Sequence, residues 1–212
     1  MKNIFPKLLL TAVAFAASGF AFSAVMVDLG PPAKSASGLE TAVFAGGCFW
    51  CTESDFDKVP GVVSTVSGYI GGTVKNPSYE EVSAGGTGHA EAVEVKFDPK
   101  KITYANLLKV YWLSIDPLTA NRQFCDGGSQ YRSAIFYTSE NQKKQSFAYK
   151  KSLEDSKFFD RPIVTEITAA TEFYPAEDYH QDYHTKNPVR YNYYRSSCGR
   201  DKRLEQVWGK KK

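Results

Sequence analysis

The sequence predicts an α/β fold of the two-layer α+β kind, and three observations carry that prediction. Short β-branched or alternating apolar runs recur along the chain, and helical segments with a 3.6-residue apolar period stand between them. After Leu39 there is neither an internal repeat nor a second linker, so one domain spans residues 39–209. The 14% aromatic content, mostly Tyr and Phe, can fill both a core and an apolar pocket.

The elements follow in order. Lys2 and Lys7 precede an apolar stretch from Leu8 to Phe22, broken only by Thr11, Ser18 and Gly19. Ala21-Phe22-Ser23 then fits the small-x-small rule, which predicts a signal peptide over residues 1–23, cleaved after Ser23. The expected location is therefore the periplasm or the exterior. The stretch is short of the roughly 20 residues of a bilayer span, so no stable membrane span is expected after processing. An uncleaved membrane anchor is the alternative. Residues 24–38, with Pro31-Pro32, read as a linker, and Lys210 to Lys212 as a basic tail.

Thr41 to Ala45 reads as a short buried strand, turned by Gly46-Gly47 into a helix beginning near Cys48. Val62 to Tyr69 is a second strand, and the glycine-rich Gly71 to Gly88, which holds Tyr79, is a loop. Ala90 to Phe97 alternates, putting Glu91 on one face with Val93, Val95 and Phe97. Thr103 caps a helix with an apolar stripe at Tyr104, Leu107, Leu108, Tyr111, Trp112 and Ile115, stopped by Asp116-Pro117. Tyr131 to Tyr137 is a strand, Ser139 and Gln142 have the spacing of a helix cap, and Ile163 to Thr168 is a further strand.

A net charge of +3 with no dense basic block before the tail excludes a nucleic-acid footprint. No long amphipathic seam is spare, so a monomer is expected. Four cysteines, Cys48, Cys51, Cys125 and Cys198, follow the predicted leader. Two structural disulfides are the plain expectation for an oxidising compartment, but Cys48 and Cys51 stand too close in sequence to staple distant elements.

A strand, two glycines and a cysteine opening a helix put the Cys48 sulfur at the positive end of the helix dipole, which favours the nucleophilic thiolate. Phe49 and Trp50 beside it suit the holding of a small apolar group. His180 and His184, four apart, are a weak metal pair, and no metal site is assigned. Arg132 is an ion-pair partner with no chemical role.

Gly47-Cys48-Phe49-Trp50 resembles the signature of the peptide methionine (S)-sulfoxide reductases of the MsrA family. Asn76 to Val82, Gly88 to Val93, Asp116-Pro117, Asp126 to Ser133 and Ala176 to Gln181 continue the likeness in family order. The resemblance implies a mixed sheet with flanking helices, no cofactor, and the S-epimer of methionine sulfoxide as substrate, free or in proteins. It implies Cys48 as the nucleophile attacking the sulfoxide sulfur and Phe49 and Trp50 as the methyl-binding wall. Glu91, Tyr79 and Tyr131 then surround the sulfoxide oxygen, and Asp126 completes the polar side.

Glu91 also follows from its own position: on an apolar face, desolvation keeps a carboxyl protonated, as an acid for oxygen departure requires. The Cys48 sulfenic acid then condenses with a second thiol. Three candidates stand for it: Cys198 first, on a tail expected to be mobile; then Cys51, one helical turn away; then Cys125, beside Asp126. The family often sets this cysteine just after an Asn-Pro-x-Gly-Tyr segment, where this chain has Asn192. A dithiol protein, thioredoxin or a thioredoxin-fold protein of the periplasm, is the expected reductant. The competing readings are a thiol–disulfide oxidoreductase using Cys48 and Cys51, and a non-catalytic exported binding module.

Overall fold

The computed structural model describes residues 38–209. The signal-peptide reading, nearly all of the linker and the basic tail lie outside them. Among the described residues no helix is long and apolar enough to cross a membrane.

Strand β1 (Glu40–Gly46) leads into helix α1 (Phe49–Asp57), followed by β2 (Val62–Ile70), α2 (Tyr79–Ala84), β3 (Ala90–Phe97) and α3 (Tyr104–Leu113). Two-residue strands β4 (Arg122–Gln123) and β5 (Asp126–Gly127) and a 3-10 turn (Ser129–Tyr131) precede β6 (Ser133–Tyr137). Then come α4 (Glu140–Asp155), β7 (Glu166–Ala169), β8 (Tyr174–Pro175), α5 (Tyr183–Lys186), α6 (Pro188–Ser197) and α7 (Arg200–Trp208).

The main sheet runs β7-β6-β1-β3-β2-β8. Only β6 and β7 pair in parallel, so the sheet is mixed, as the resemblance implies. β3 sits between β1 and β2, and its alternation sorts the two faces. Val93, Val95 and Phe97 join Phe44, Phe56, Leu107, Leu108, Tyr111 and Trp112 in the larger core. Ala90 and Ala92 face a smaller cluster with Val43, Ala45, Ile70, Ala134 and Phe136, covered by Ala170 and Phe173. Small residues are needed there because the 170–173 segment crosses close to the sheet. A Cβ on Gly68 would lie 2.4 Å from the Tyr174 carbonyl oxygen.

The larger core is aromatic at its centre. The ring of Phe44 stacks between Phe56 and Tyr111, with centroids 5.0 Å away on each side. Emptying that place with Phe44→Ala would cost about 3–5 kcal/mol. The α3 stripe lies on this core as its period predicts, and Thr103 caps the helix by accepting from the Asn106 N–H.

Four boundaries differ from the sequence reading. The 71–88 segment contains α2, whose start is a full capping box between Ser78 and Glu81. The strand expected from Tyr131 begins at Ser133, because residues 129–131 form the 3-10 turn. The strand expected over 163–168 is shifted to Glu166–Ala169. The mobile tail expected around Cys198 is instead a corner between two helices: Cys198 ends α6, and Gly199, at φ +69°, restarts the chain as α7.

Candidate functional site

The site is built at the junction of β1 and α1. Gly47 adopts φ +82°, and a Cβ there would meet the Gln123 side chain at 2.5 Å, so only glycine fits this turn. The turn makes Cys48 the residue that precedes the helix, with its carbonyl accepting the Cys51 N–H. No side chain within the helix caps the free N–H groups. Glu91 does so from β3, accepting the Phe49 N–H on Oε2 at 3.0 Å.

Glu91 is 2% exposed. Burial, opposed by that hydrogen bond and reinforced by Asp126 and Cys51, pushes its pKa up to about 8. The carboxyl is therefore largely protonated near neutral pH, with the second oxygen able to carry the proton. Cys48, 7% exposed, departs from the sequence expectation. Burial raises its thiol well above the ordinary range, with Cys51 and Glu91 adding, and this outweighs the helix-dipole effect. Cys51 is lowered to about 7, chiefly by a hydrogen bond with Cys48 and further by Arg200 and Arg195. Within the pair, thiolate is therefore favoured on Cys51 over the more deeply buried Cys48.

An aromatic wall surrounds the sulfur. Trp50 stacks on Tyr183 with centroids 3.7 Å apart, and its Nε1–H donates to His180 Nδ1 at 2.9 Å. Phe49 packs against Tyr69, Tyr79 and His180. Accepting from Trp50 on Nδ1 fixes His180 as the tautomer with its proton on Nε2, and burial holds its pKa below the ordinary value. His184 lies elsewhere, 3.5 Å from Asp57.

The oxygen side is polar. Tyr79 opens α2, its backbone N–H held by Glu177 at 2.8 Å, and burial raises its hydroxyl to about 12. Tyr131 ends the 3-10 turn, and burial together with Glu91, Tyr79 and Asp126 keeps it protonated. Asp126 is half-buried, with its pKa raised by burial. The structure thus gathers Phe49, Trp50, Tyr79, Glu91, Asp126 and Tyr131 around Cys48.

The cysteine candidates divide into two pairs. Cys125 and Cys198 form a disulfide, whereas Cys48 and Cys51 are free and buried. Cys51 packs under Tyr183 and Tyr191, with Trp50 and Tyr194 against them. Cys125, Asp126 and Cys198 bring their donor atoms within 4.8 Å of one another, but the two sulfurs are bonded to each other.

Sequence reasoning missed four contributors. Glu177 holds both the Tyr69 hydroxyl and the Tyr79 backbone. His180 braces Trp50. Tyr194 reaches over Cys48 and donates to Asp126 Oδ2. Arg200, 1% exposed, binds the carbonyls of Gly46 and Ser114 and packs on the Phe124 ring. Glu177 and His180 lie inside the family-like segment Ala176 to Gln181, but no local pattern marks Tyr194 among 13 tyrosines.

Comparison with known proteins places this geometry. Residues 40–212 match the family model described as "Peptide methionine sulfoxide reductase". The chain is 51% identical over 172 residues to the peptide methionine sulfoxide reductase MsrA of Bacillus licheniformis, covering 81% of this chain and 95% of that protein. Among solved structures, it is similar to Mxr1 of Saccharomyces cerevisiae in reduced form. That match has a TM-score of 0.68 and 33% identity, over 73% of this chain and 88% of the other. Methionine sulfoxide reductase A of Corynebacterium diphtheriae matches at a TM-score of 0.64 and 38% identity, over 76% and 78%.

Proposed function

This chain belongs to the peptide methionine sulfoxide reductase family, and from that premise we propose how its own residues reduce methionine sulfoxide. The observation that carries the reading is a buried Glu91, bound to the Phe49 N–H and near enough to raise the Cys48 thiol, with its own pKa pushed up to about 8 beside Phe49 and Trp50.

The methyl group of the sulfoxide packs against Phe49 and Trp50, which turns its oxygen toward Glu91, Tyr79 and Tyr131. Only one epimer presents oxygen and methyl to these two sides while its sulfur faces Cys48, and we assign the S form. As Cys48 attacks sulfur, its proton passes to the Cys51 thiolate, Glu91 gives its own proton to the departing oxygen, and the two tyrosine hydroxyls donate to the charge developing there. Oxygen is transferred to Cys48 as sulfenic acid and the sulfoxide leaves as methionine: thiol and sulfoxide become sulfenic acid and thioether.

Cys51 then attacks the Cys48 sulfenic sulfur and releases water, leaving a Cys48–Cys51 disulfide. This reading replaces Cys198, the first candidate from sequence, because Cys198 is engaged by Cys125 and Cys51 is the free thiol at hand. A dithiol protein restores the pair. The yeast relative Mxr1 has been solved in complex with Trx2, which supports a thioredoxin-fold donor. Export, inferred from residues 1–23, would make that donor a periplasmic one, acting on a monomer. N-terminal sequencing of the protein from a periplasmic fraction tests the export reading, with a start at Ala24 expected.

The functional test is epimer-resolved reduction of a methionine sulfoxide derivative with dithiothreitol, using the wild-type chain and Cys48→Ser. Turnover of the S form alone, abolished by the substitution, is expected. Reduction of the R form, or of neither form by well-folded protein, overturns the assignment.

A further inference from the structure

The Cys125–Cys198 disulfide joins two elements that each deliver one side chain to the site. Asp126 immediately follows Cys125, and Tyr194 stands one helical turn before Cys198 on α6. Their side chains meet: the Tyr194 hydroxyl donates to Asp126 Oδ2. A second tie parallels the first, with the Cys125 N–H 3.2 Å from Cys198 Sγ. The disulfide sulfurs lie 3.6 and 4.0 Å from the two Asp126 oxygens, so the cross-link touches the carboxylate itself.

The Tyr194–Asp126 pair closes the pocket from above. The Tyr194 ring meets Trp50 edge-on at 5.8 Å, and its hydroxyl is also within hydrogen-bonding reach of Cys48. A hydroxyl has one hydrogen to give. While Asp126 takes it, Tyr194 is held in one orientation beside the sulfur, and Cys48 stays 7% exposed. Without the cross-link, the β4–β5 turn would keep its anchor at Gln123, whose amide bonds the Asp116 backbone at 2.7 and 2.9 Å, and Phe124 on Arg200, but Cys125 and Asp126 would lose their covalent tie to α6. Helix α6, by contrast, would still be held on α1 by Arg195, 2.9 Å from Asp55. Loss of the disulfide would therefore loosen Asp126 against a Tyr194 that stays in place.

We propose that the Cys125–Cys198 disulfide is a positioning cross-link of the sulfoxide pocket, which sets Asp126 against Tyr194 over Cys48 and stands outside the electron path. Cys125, Cys198 and Tyr194 are positioning residues in this account, and the inference rests on the reductase reading given above. Opening the cross-link takes two electrons and two protons from a dithiol, yields two thiols, and leaves Cys48 and Cys51 able to turn over.

The test is the Cys125→Ser/Cys198→Ser double variant, compared with wild type and with Tyr194→Phe, each recycled by the same dithiol protein. A several-fold rise in KM for the sulfoxide is expected, with kcat within about threefold, and Cys48 alkylated several-fold faster by iodoacetamide. Tyr194→Phe reproduces the KM rise in the wild type and adds little in the double variant, because the two changes disrupt one arrangement. An unchanged KM and alkylation rate in the folded double variant overturns the proposal. So does loss of recycling with single-turnover methionine formation intact, since that outcome puts the pair in the electron path. If the double variant does not fold, wild type with only Cys48 and Cys51 reduced is compared with fully reduced protein in single turnover, with the same expectations for substrate affinity and alkylation. Should wild type reduce no sulfoxide, the reductase reading falls, whereas the alkylation rates still report whether the cross-link orders the site.

Discussion

Glu91 accepts the backbone N–H of Phe49 at 3.0 Å, so the acid of the site is also the cap of the helix that follows the nucleophile. One carboxyl thus joins the chemistry to the geometry of α1. A glutamine can keep the accepting oxygen but has no proton of comparable acidity to give.

Glu91→Gln is accordingly expected to fold normally and to lose kcat/KM by on the order of a hundredfold or more. In the wild type, Glu91 must be protonated to act. Its pKa is raised to about 8, so the activity it supports is present at lower pH and falls as pH rises through about 8. A pH profile of kcat/KM for both proteins checks this. Survival of the same alkaline limb in an active Glu91→Gln would assign it to another group.

Cys51→Ser is expected to release one methionine per enzyme and stop. The stalled protein would carry one added oxygen atom on Cys48 and react with dimedone, while Cys125 and Cys198 stay paired. Peptide mapping after substrate addition distinguishes this from resolution by Cys198, which would appear as a Cys48–Cys198 peptide. Because Cys51 is lowered to about 7, the rate of resolution should rise through that pH as thiolate forms.

Trp50→Ala removes the ring stacked on Tyr183 and the donor to His180. A KM increase of roughly ten- to hundredfold follows if the ring holds the substrate methyl, at about 1–3 kcal/mol for a small apolar contact. Trp50→Phe keeps a wall but loses the hydrogen bond, and a smaller rise is expected. Steady-state kinetics with a blocked amino-acid sulfoxide compares them, and equal KM values for all three proteins would remove Trp50 from the binding wall.

Asp55 receives both Arg195, at 2.9 Å, and Arg200, at 3.5 Å. Asp55→Ala leaves the buried Arg200 guanidinium short of its carboxylate, while Arg195 keeps Asp201 at 2.7 Å, and should lower stability by about 3 kcal/mol. Urea denaturation of the two proteins is the measurement. A change below roughly 1 kcal/mol would mean that the carbonyls of Gly46 and Ser114 satisfy Arg200 unaided.

Legibility in the sequence followed periodicity. β3 and α3 were readable because their apolar residues recur at two and at 3.6 residues, and the face assigned to Glu91 is the face it occupies. α2 was hidden among glycines, although Ser78 and Glu81 carried its capping signal. The C-terminal helices were hidden for a different reason. Pro188 to Ser197 is polar and tyrosine-rich, buries Tyr191 alone, and is held by arginine pairs and a disulfide rather than by an apolar stripe. The Cys125–Cys198 pairing and the reach of Tyr194 depend on how that corner folds back, which no local pattern encodes. The Cys48 thiol was misjudged because helix position is visible in sequence and depth of burial is not.

The place of β1 in the sheet bears on how the domain assembles. Phe44 pairs across to Val93 on one side and Ile135 on the other, about fifty and about ninety residues further along the chain. A ribosome must deliver β6 before the first strand has both neighbours, and until then its apolar edge stands open. Such distant pairings make for slow folding, on the millisecond-to-second scale of sheet-dominated topologies rather than that of helical bundles. A nascent chain of this kind is exposed to chaperones for as long as its first strand waits for its last partner.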